Sequence, residues 1–337
     1  MKELSDRVFI DSNNAKSLLD RGYSAADLHV HSSASYDVIP SKNVSPQAIL
    51  EKERSRGLLP IITDHDTMDA VHLFDTTGVE IKIKPREIGH TVHVNVYTLN
   101  SAQFNDLENI ASTGDMSEFL SYINNLGLPF QYNHPFWHEP GERLNISGVR
   151  ELAKKFPVIE LNAGRIKPLN DHAYRLAEEL GKGITSTTDS HIGEPGKAVT
   201  LAKGRDFLEF WDNVIHGNAY VVRYDMTIPR IVHEIRTRIM QYMDCSLEEL
   251  SKKDMKTGIG IADAIIDHLT SDIYKSNKAL KKAVSSTVGN IIGPIVATAL
   301  LVVPQNITAY DVNKSLVNDM ASFPEKIGTS PIISYSQ

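Results

Sequence analysis

The chain has 337 residues, a net charge of -7 and a pI near 6.0, with 13 histidines and a single cysteine. That length allows one large domain or two of ordinary size, and the acidic balance disfavours a broad nucleic-acid-binding surface. With Cys245 alone, an intrachain disulfide and a thiolate-rich zinc cluster are both excluded. A reducing, cytoplasmic setting fits, and residues 1–7 have no apolar run behind them that would read as a signal peptide.

Residues 1–24 read as a polar lead-in with a short helix over 14–21. From residue 25 strand-like and helical segments alternate. A strand is expected over 25–30. A helix follows over 45–56, with Ser45 as N-cap, Pro46 at the first helical position and Gly57 beyond the end. Residues 58–63 (Leu-Leu-Pro-Ile-Ile-Thr) read as a buried strand, and 92–99 alternates like a strand with one wet face. Then come a helix over 117–126, a strand over 129–133, a helix over 149–155, a strand over 158–162, a helix over 170–180 and a strand over 183–188. This alternation predicts an α/β fold with a parallel sheet or a closed barrel. After residue 225 the strand signals fade, and 228–242, 246–253, 258–283 and 310–321 read as helical. We therefore expect a lead-in (1–24), a main domain (25–225) and a helical region of unassigned role (226–337). Residues 283–310 contain no charged side chain. Within them, membrane contact through 284–304 competes with a buried helix. Asn290, Pro294 and the shortness of the run favour the buried helix.

Ten of the histidines fall between His29 and His191, many beside acids. They sit at or just after the ends of the apolar strand candidates, where α/β barrels build their active sites. His29 and His31 are two apart on a strand, so both side chains point to one side and can hold one ion; Asp27 and Asp37 lie close by. Thr63-Asp64-His65-Asp66-Thr67 follows an apolar strand, and three ionisable groups there are costly without a partner or a metal. Glu87, in Lys84-Pro85-Arg86-Glu87-Ile88-Gly89, is the candidate for a carboxylate that bridges two ions. His93, in the strand that follows, competes with His90 as a ligand. Asn133-His134-Pro135 places an imidazole at a strand rim, while His138 reads as a surface residue. Thr188-Asp189-Ser190-His191 repeats the two-apart spacing on another strand. Oxygen and imidazole donors together suit zinc, manganese or iron.

Taken together, Asp-Leu-His-Val-His-Ser (27–32), Thr-Asp-His-Asp-Thr (63–67), the Glu before a His-containing strand, Asn-His-Pro (133–135) and Thr-Asp-Ser-His (188–191) resemble the polymerase and histidinol phosphatase (PHP) superfamily over residues 25–200. The resemblance implies a distorted (β/α)7 TIM-like barrel holding two or three divalent ions. It places His29, His31, Glu87 and Asp189 on the first ion, with Glu87 bridging to a second shared with His93 and His134. Asp37, His65 and His191 would hold a third.

Such a cluster of Mn, Zn or Fe ions, with Mg as a further option, suits phosphoester hydrolysis. It lowers the pKa of a bound water to near 7, clamps phosphate oxygens and stabilises the leaving group. No nucleophile elbow is present. Arg165, in Asn162-Ala163-Gly164-Arg165, is the best-placed phosphate ligand because its planar fork matches phosphate; Arg143, Lys197 and Arg205 are weaker candidates. Asp64 or Asp66 is expected to orient His65 from behind. The reading is a phosphatase of small molecules or nucleotides. The alternative is a nuclease on short nucleic acid or strand ends. An amidohydrolase or a non-catalytic metal-binding module ranks lower.

Overall fold

The computed structural model describes residues 9–245, 283, 286–287 and 302–321. The helices expected over 246–253 and 258–283 lie outside these residues apart from position 283, as does most of 284–304. No helix among the described residues is long and apolar enough to cross a membrane.

The elements in chain order are α1 (Ser12–Asp20), β1 (Ser24–Ala26), α2 (Pro46–Ser55), β2 (Gly78–Ile83), β3 (Val92–Tyr97), α3 (Ser101–Thr113), α4 (Met116–Leu126), β4 (Phe130–Tyr132), α5 (Ile146–Ala153), β5 (Val158–Asn162), α6 (Lys167–Leu180), β6 (Gly183–Thr187), β7 (Val199–Ala202), α7 (Phe207–Ile215), β8 (Ala219–Val222), α8 (Ile228–Asp244) and α9 (Val303–Ala321). α2 begins as its sequence dictates: the Ser45 hydroxyl accepts from the Ala48 amide (3.2 Å) and Pro46 fills the first turn, where its missing N–H is no loss. Gly57 then leaves the helix at φ +69°, a conformation that glycine takes without a Cβ clash.

The strands form a mixed five-stranded sheet, β2-β3-β4-β5-β6, and a three-stranded antiparallel sheet, β1-β7-β8. In the larger sheet β2, β3 and β4 pair antiparallel, while β4, β5 and β6 pair parallel. The fold is thus α/β as expected, but the strands among the described residues do not close into a barrel. Where residues 58–63 were expected to be a strand there are only isolated bridges, Ala25 with Leu58 and Ile61 with Thr76. The reason is local. Pro60 has no amide to donate, the Ile61 amide goes to the Glu53 carboxylate (3.2 Å), and the Val30 amide goes to the Thr63 hydroxyl (3.0 Å). Side chains thus take bonds that a continuous ladder would need.

The alternation in the five-stranded sheet separates two environments. Val79, Ile81, Val92, Val94, Val96, Phe130, Ile159 and Leu161 join one apolar cluster with residues of α3, α4, α5 and α6. The interleaved residues are polar and equally buried, Asn95, Gln131 and Glu160 among them. The face of β3 expected to be wet is therefore polar but enclosed. Buried polar groups must find partners, and these do. Asn133 Nδ2 donates to Asn95 Oδ1 (2.9 Å) and to Glu80 Oε1 (2.8 Å), Gln131 Nε2 donates to Asn133 Oδ1 (3.0 Å), and Thr185 Oγ1 donates to Gln131 Oε1 (3.0 Å). This network forms a rigid floor for what sits at the strand ends.

Candidate metal centre

The centre assembles around Glu80, a wholly buried carboxylate on β2. Its Oε2 lies 3.0 Å from His29 Nε2, 3.2 Å from His31 Nε2 and 3.2 Å from His65 Nδ1. Its Oε1 lies 3.1 Å from His93 Nδ1 and 3.4 Å from His134 Nε2. One carboxylate thus divides five imidazoles between its two oxygens. Asp189 Oδ1 completes the first group, at 3.5 Å from His29 Nε2 and 3.2 Å from His31 Nε2. Asp37 Oδ2 makes a third corner, 2.8 Å from His191 Nε2 and 3.6 Å from His65 Nε2.

The structure therefore brings together His29, His31, Asp37, His65, His93, His134, Asp189 and His191, and it leaves out Glu87. That residue is exposed in the turn after β2, with the cluster's bridging position taken by Glu80. Glu87 is nearer His93 in sequence, but Glu80 is nearer in space because β2 pairs with β3 in the register Glu80 to Asn95 and Lys82 to His93. The strand 78–83 went unread in the sequence, although Val-Glu-Ile-Lys-Ile alternates as a strand should. His90 is buried away from the cluster and its Nδ1 accepts from the Asn145 amide (3.3 Å). His138 hydrogen-bonds locally, to the Glu139 carbonyl.

Two further expectations need correction. Asp64 does not orient His65: its carboxylate accepts from the Ser32 amide (2.6 Å) and hydroxyl (2.7 Å), so it fixes the turn just after His31. Asp66 accepts from the Lys82 amide (3.0 Å) instead. The orienting carboxylate that the sequence reading missed is Glu160, on β5. It accepts from His29 Nδ1 (2.7 Å), the Thr187 hydroxyl (2.5 Å), the His134 amide (2.7 Å) and Asn162 Nδ2 (3.1 Å). Its hold on His29 Nδ1 turns Nε2 toward the cluster, the usual way a ligand imidazole is aimed. A glutamate inside the apolar strand Val-Ile-Glu-Leu-Asn was the available signal.

Backbone strain collects here too. Four described residues other than glycine have positive φ, and three of them, Asp66 (+48°), His134 (+27°) and Asp189 (+50°), lie in or beside the cluster. Such conformations persist where the surroundings enforce them, most often at functional sites. For Asp189 the enforcement is visible: the preceding residue, Thr188, donates its amide (2.9 Å) and hydroxyl (2.5 Å) to the buried Asp27 carboxylate.

The electrostatics describe carboxylates and imidazoles that hold one another's charge inside a buried site. Burial disfavours the charged form of Glu80, yet the imidazoles around it, His29 foremost, outweigh it and hold its carboxyl well below the usual range. Burial should likewise lower the pKa of His31, but Asp189 and Glu80 raise it to about 10. His65 and His134 go the other way: burial wins over Glu80 and Asp37 at His65, whose pKa falls to about 3, and burial also lowers His134 despite its hydrogen bond to Glu80. The donor set also fits a divalent ion. Three overlapping trios, His31–His65–His191, His29–His31–Glu80 and His65–Glu80–His93, each bring their ligand atoms within 4.8 Å of one another. His31 Nδ1 and His93 Nε2 are buried without a hydrogen-bond partner, an arrangement that is costly unless something else satisfies them.

A cavity of about 600 Å³ opens over the cluster. Arg165 lines it, with its guanidinium 3.9 Å from Asp189 Oδ2, 5.4 Å over the Trp137 ring and its Nε without a hydrogen-bond partner. The loop carrying Arg165 is held from two sides. The Met226 amide donates to the Arg165 carbonyl (2.8 Å), and Gln305 of α9 accepts from the Ile166 amide (2.8 Å) and donates to the Gly164 carbonyl (3.4 Å). Ile166 caps α6 without a side-chain acceptor of its own, so Gln305 supplies what the helix start lacks. The weaker candidates Arg143, Lys197 and Arg205 do not line the cavity.

No family model matches the chain and no curated protein matches it. Among solved structures it is similar to PsfC from Pseudomonas syringae, at 15% identity and TM-score 0.47 over 65% of this chain and 98% of that one. It is also similar to a two-domain Bacteroides vulgatus protein containing a predicted PHP-like metal-dependent phosphoesterase, at 17% identity and TM-score 0.45 over 65% and 70% of the two chains. A third similarity is to the lesion-specific endonuclease PfuEndoQ from Pyrococcus furiosus, at 15% identity and TM-score 0.43 over 59% of this chain and 57% of that one.

Proposed function

We propose that the chain is a metal-dependent phosphoesterase, acting as a phosphatase on a small phosphorylated molecule or nucleotide. The observation that carries this is the Glu80 carboxylate, whose two oxygens face separate imidazole sets, His29, His31 and His65 on one side and His93 and His134 on the other. That is the geometry of a bridging ligand. Two ions would be held by His29, His31, Glu80 and Asp189, and by Glu80, His93 and His134. Asp37, His65 and His191 form the place for a third. The mixed imidazole and carboxylate donors suit Mn, Zn or Fe, and tolerate Mg less well.

Bound divalent ions would supply Lewis acidity toward the phosphoryl oxygens and a water nucleophile active at neutral pH. The chain's own groups do the rest. Arg165 extends its fork beside Asp189, where it would bind and orient phosphate oxygens. Its guanidinium sits 5.4 Å over the Trp137 ring, a cation–π contact that helps to hold it in place. Glu160 aims His29, and Asp64 fixes the turn after His31. The acidic balance of the whole chain favours a compact substrate over an extended nucleic acid.

The test is a panel of phosphomonoesters, phosphodiesters, nucleotides and short oligonucleotides, assayed with Mn, Zn, Fe and Mg. Metal content is measured alongside, and His65→Ala serves as control. Metal-dependent turnover of monoesters, lost in the control, is the expected result. Turnover of oligonucleotides alone would replace the phosphatase reading with a nuclease, and bound metal with no turnover would remove the catalytic reading.

A further inference from the structure

The cavity reaches well past the ion cluster, and its outer wall comes from a part of the chain outside the motifs. α8 contributes Arg238 and Tyr242 to the lining. The helix is pinned against the body of the fold: His233 Nε2 meets Glu194 Oε1 at 2.8 Å, Gln241 Nε2 donates to the Ser41 hydroxyl (3.2 Å), and Tyr242 packs with Ile39 and Cys245. Arg238 is therefore held over the mouth, yet it makes no hydrogen bond or ion pair with any described residue. On the β2 side the cavity is lined by Lys82. Its ammonium lies 3.3 Å from the Tyr36 hydroxyl and 5.1 Å over the Tyr36 ring, and it too has no carboxylate within ion-pair distance among the described residues.

Among the described residues some cations are paired with acids, as Arg223 is with Asp171 and Asp225 and Arg230 with Glu234, while Arg238 and Lys82 are not. What sets these two apart is that both face one cavity, where a cation without an acid partner is free to fix the orientation of an anionic ligand. Neither is needed for the reacting phosphate, which Arg165 and the ion cluster already address. We propose that Arg238, with Lys82, binds a second anionic group of the substrate, so that the substrate is a small phosphomonoester that also carries a carboxylate or a second phosphate. This rests on the phosphatase reading for the identity of the first anionic group. The shared chemistry is an anion recognised by a guanidinium and an ammonium, and a cavity of about 600 Å³ is large enough for both ends of such a molecule.

The test is calorimetric binding to the Mn-loaded full chain, with turnover read in parallel. Two pairs of ligands are compared: glycerol 3-phosphate with 3-phosphoglycerate, and adenosine 5′-monophosphate with adenosine 3′,5′-bisphosphate. The first pair adds a carboxylate and the second a phosphate, so the source of the second anion is read directly. The expected result is at least about tenfold tighter binding of the doubly anionic member in one pair, the size of a charge-assisted hydrogen-bond pair. Arg238→Gln should abolish that preference while leaving the singly anionic member and the melting temperature unchanged, and Arg238→Lys should restore part of it. Equal binding within both pairs, including no binding of any member, overturns the proposal. So does an Arg238→Gln variant that weakens both members of a pair by one factor, since Arg238 would then serve the reacting phosphate. A binding preference without turnover of any ligand leaves the second-anion site standing and removes the hydrolase reading instead.

Discussion

Two sets of buried acids in this molecule meet opposite fates. At the mouth, Glu80, Glu160 and Asp189 are enclosed by imidazoles and amide donors, and despite burial their carboxyls are held below the usual range. Just after β1 and on α2, Asp27 and Glu53 are equally enclosed but meet little positive charge. Burial raises Asp27 to about 6 and Glu53 well above the ordinary carboxyl range. The difference teaches that burial alone does not mark a functional carboxylate. What marks it is burial together with groups that need a negative charge, and that combination converges on one cavity.

The sharpest way to break this comparison is to neutralise Glu80. Glu80→Gln removes the group that both imidazole sets face, and we expect the chain to lose bound metal and at least about a hundredfold in activity, more than an orienting residue costs. Glu87→Gln should stay within about twofold of the parent. Metal analysis and kcat/KM on the two variants decide the matter, and equal effects would return the bridging role to the open question the sequence left. Glu160→Gln comes next. It keeps the size of the side chain but loses the charge that fixes His29 Nδ1, so metal affinity should drop by about 10- to 100-fold. Unchanged affinity would show that His29 is aimed by packing alone.

How much of this was legible beforehand follows the same physical line. The ligand-type residues at His29, His31, His65, His134, Asp189 and His191 could be collected from sequence because each follows an apolar run and closes a short motif. Glu80 could not, since its partnership with His93 is set by strand register, and the reading preferred the acid nearer in sequence. The β–α alternation allowed a parallel sheet or a closed barrel and the resemblance implied the barrel, but neither reports that Pro60 and the Thr63 hydroxyl divert the ladder. The roles of Arg238 and Gln305 depend on where α8 and α9 dock, which no local pattern encodes.

Arg165 extends the comparison to a cation. It is half-buried with its Asp189 partner at the edge of ion-pair distance, 3.9 Å, so its position depends more on the backbone of its loop than on a partner charge. Gln305→Ala would leave the Ile166 amide without its acceptor, at a local cost of about 1–3 kcal/mol. We expect kcat/KM to fall by roughly fivefold to tenfold with metal content unchanged. A parallel loss of metal would mean that α9 supports the whole mouth and not the Arg165 loop.

The smallest effect is expected on the other side of the comparison, at Glu53. Its Oε2 accepts from the Ile61 amide while Oε1 has no hydrogen-bond partner, and its pKa is raised first by burial and then by Asp27. Below the ordinary glutamate pKa of 4.5 the carboxyl is protonated in both folded and unfolded chains, so it makes no difference to stability. As pH rises past that value the unfolded chain releases the proton and the folded chain keeps it, and stability falls until the folded carboxyl itself ionises. Glu53→Gln retains the acceptor for Ile61 and removes the titration. The variant should therefore melt with the parent near pH 4 and a few degrees above it near pH 8, at about 1.4 kcal/mol for each unit by which the folded pKa is raised. A melting difference that does not change with pH, or that favours the parent at pH 8, would show that Glu53 is stabilised as an anion and belongs with the acids of the mouth.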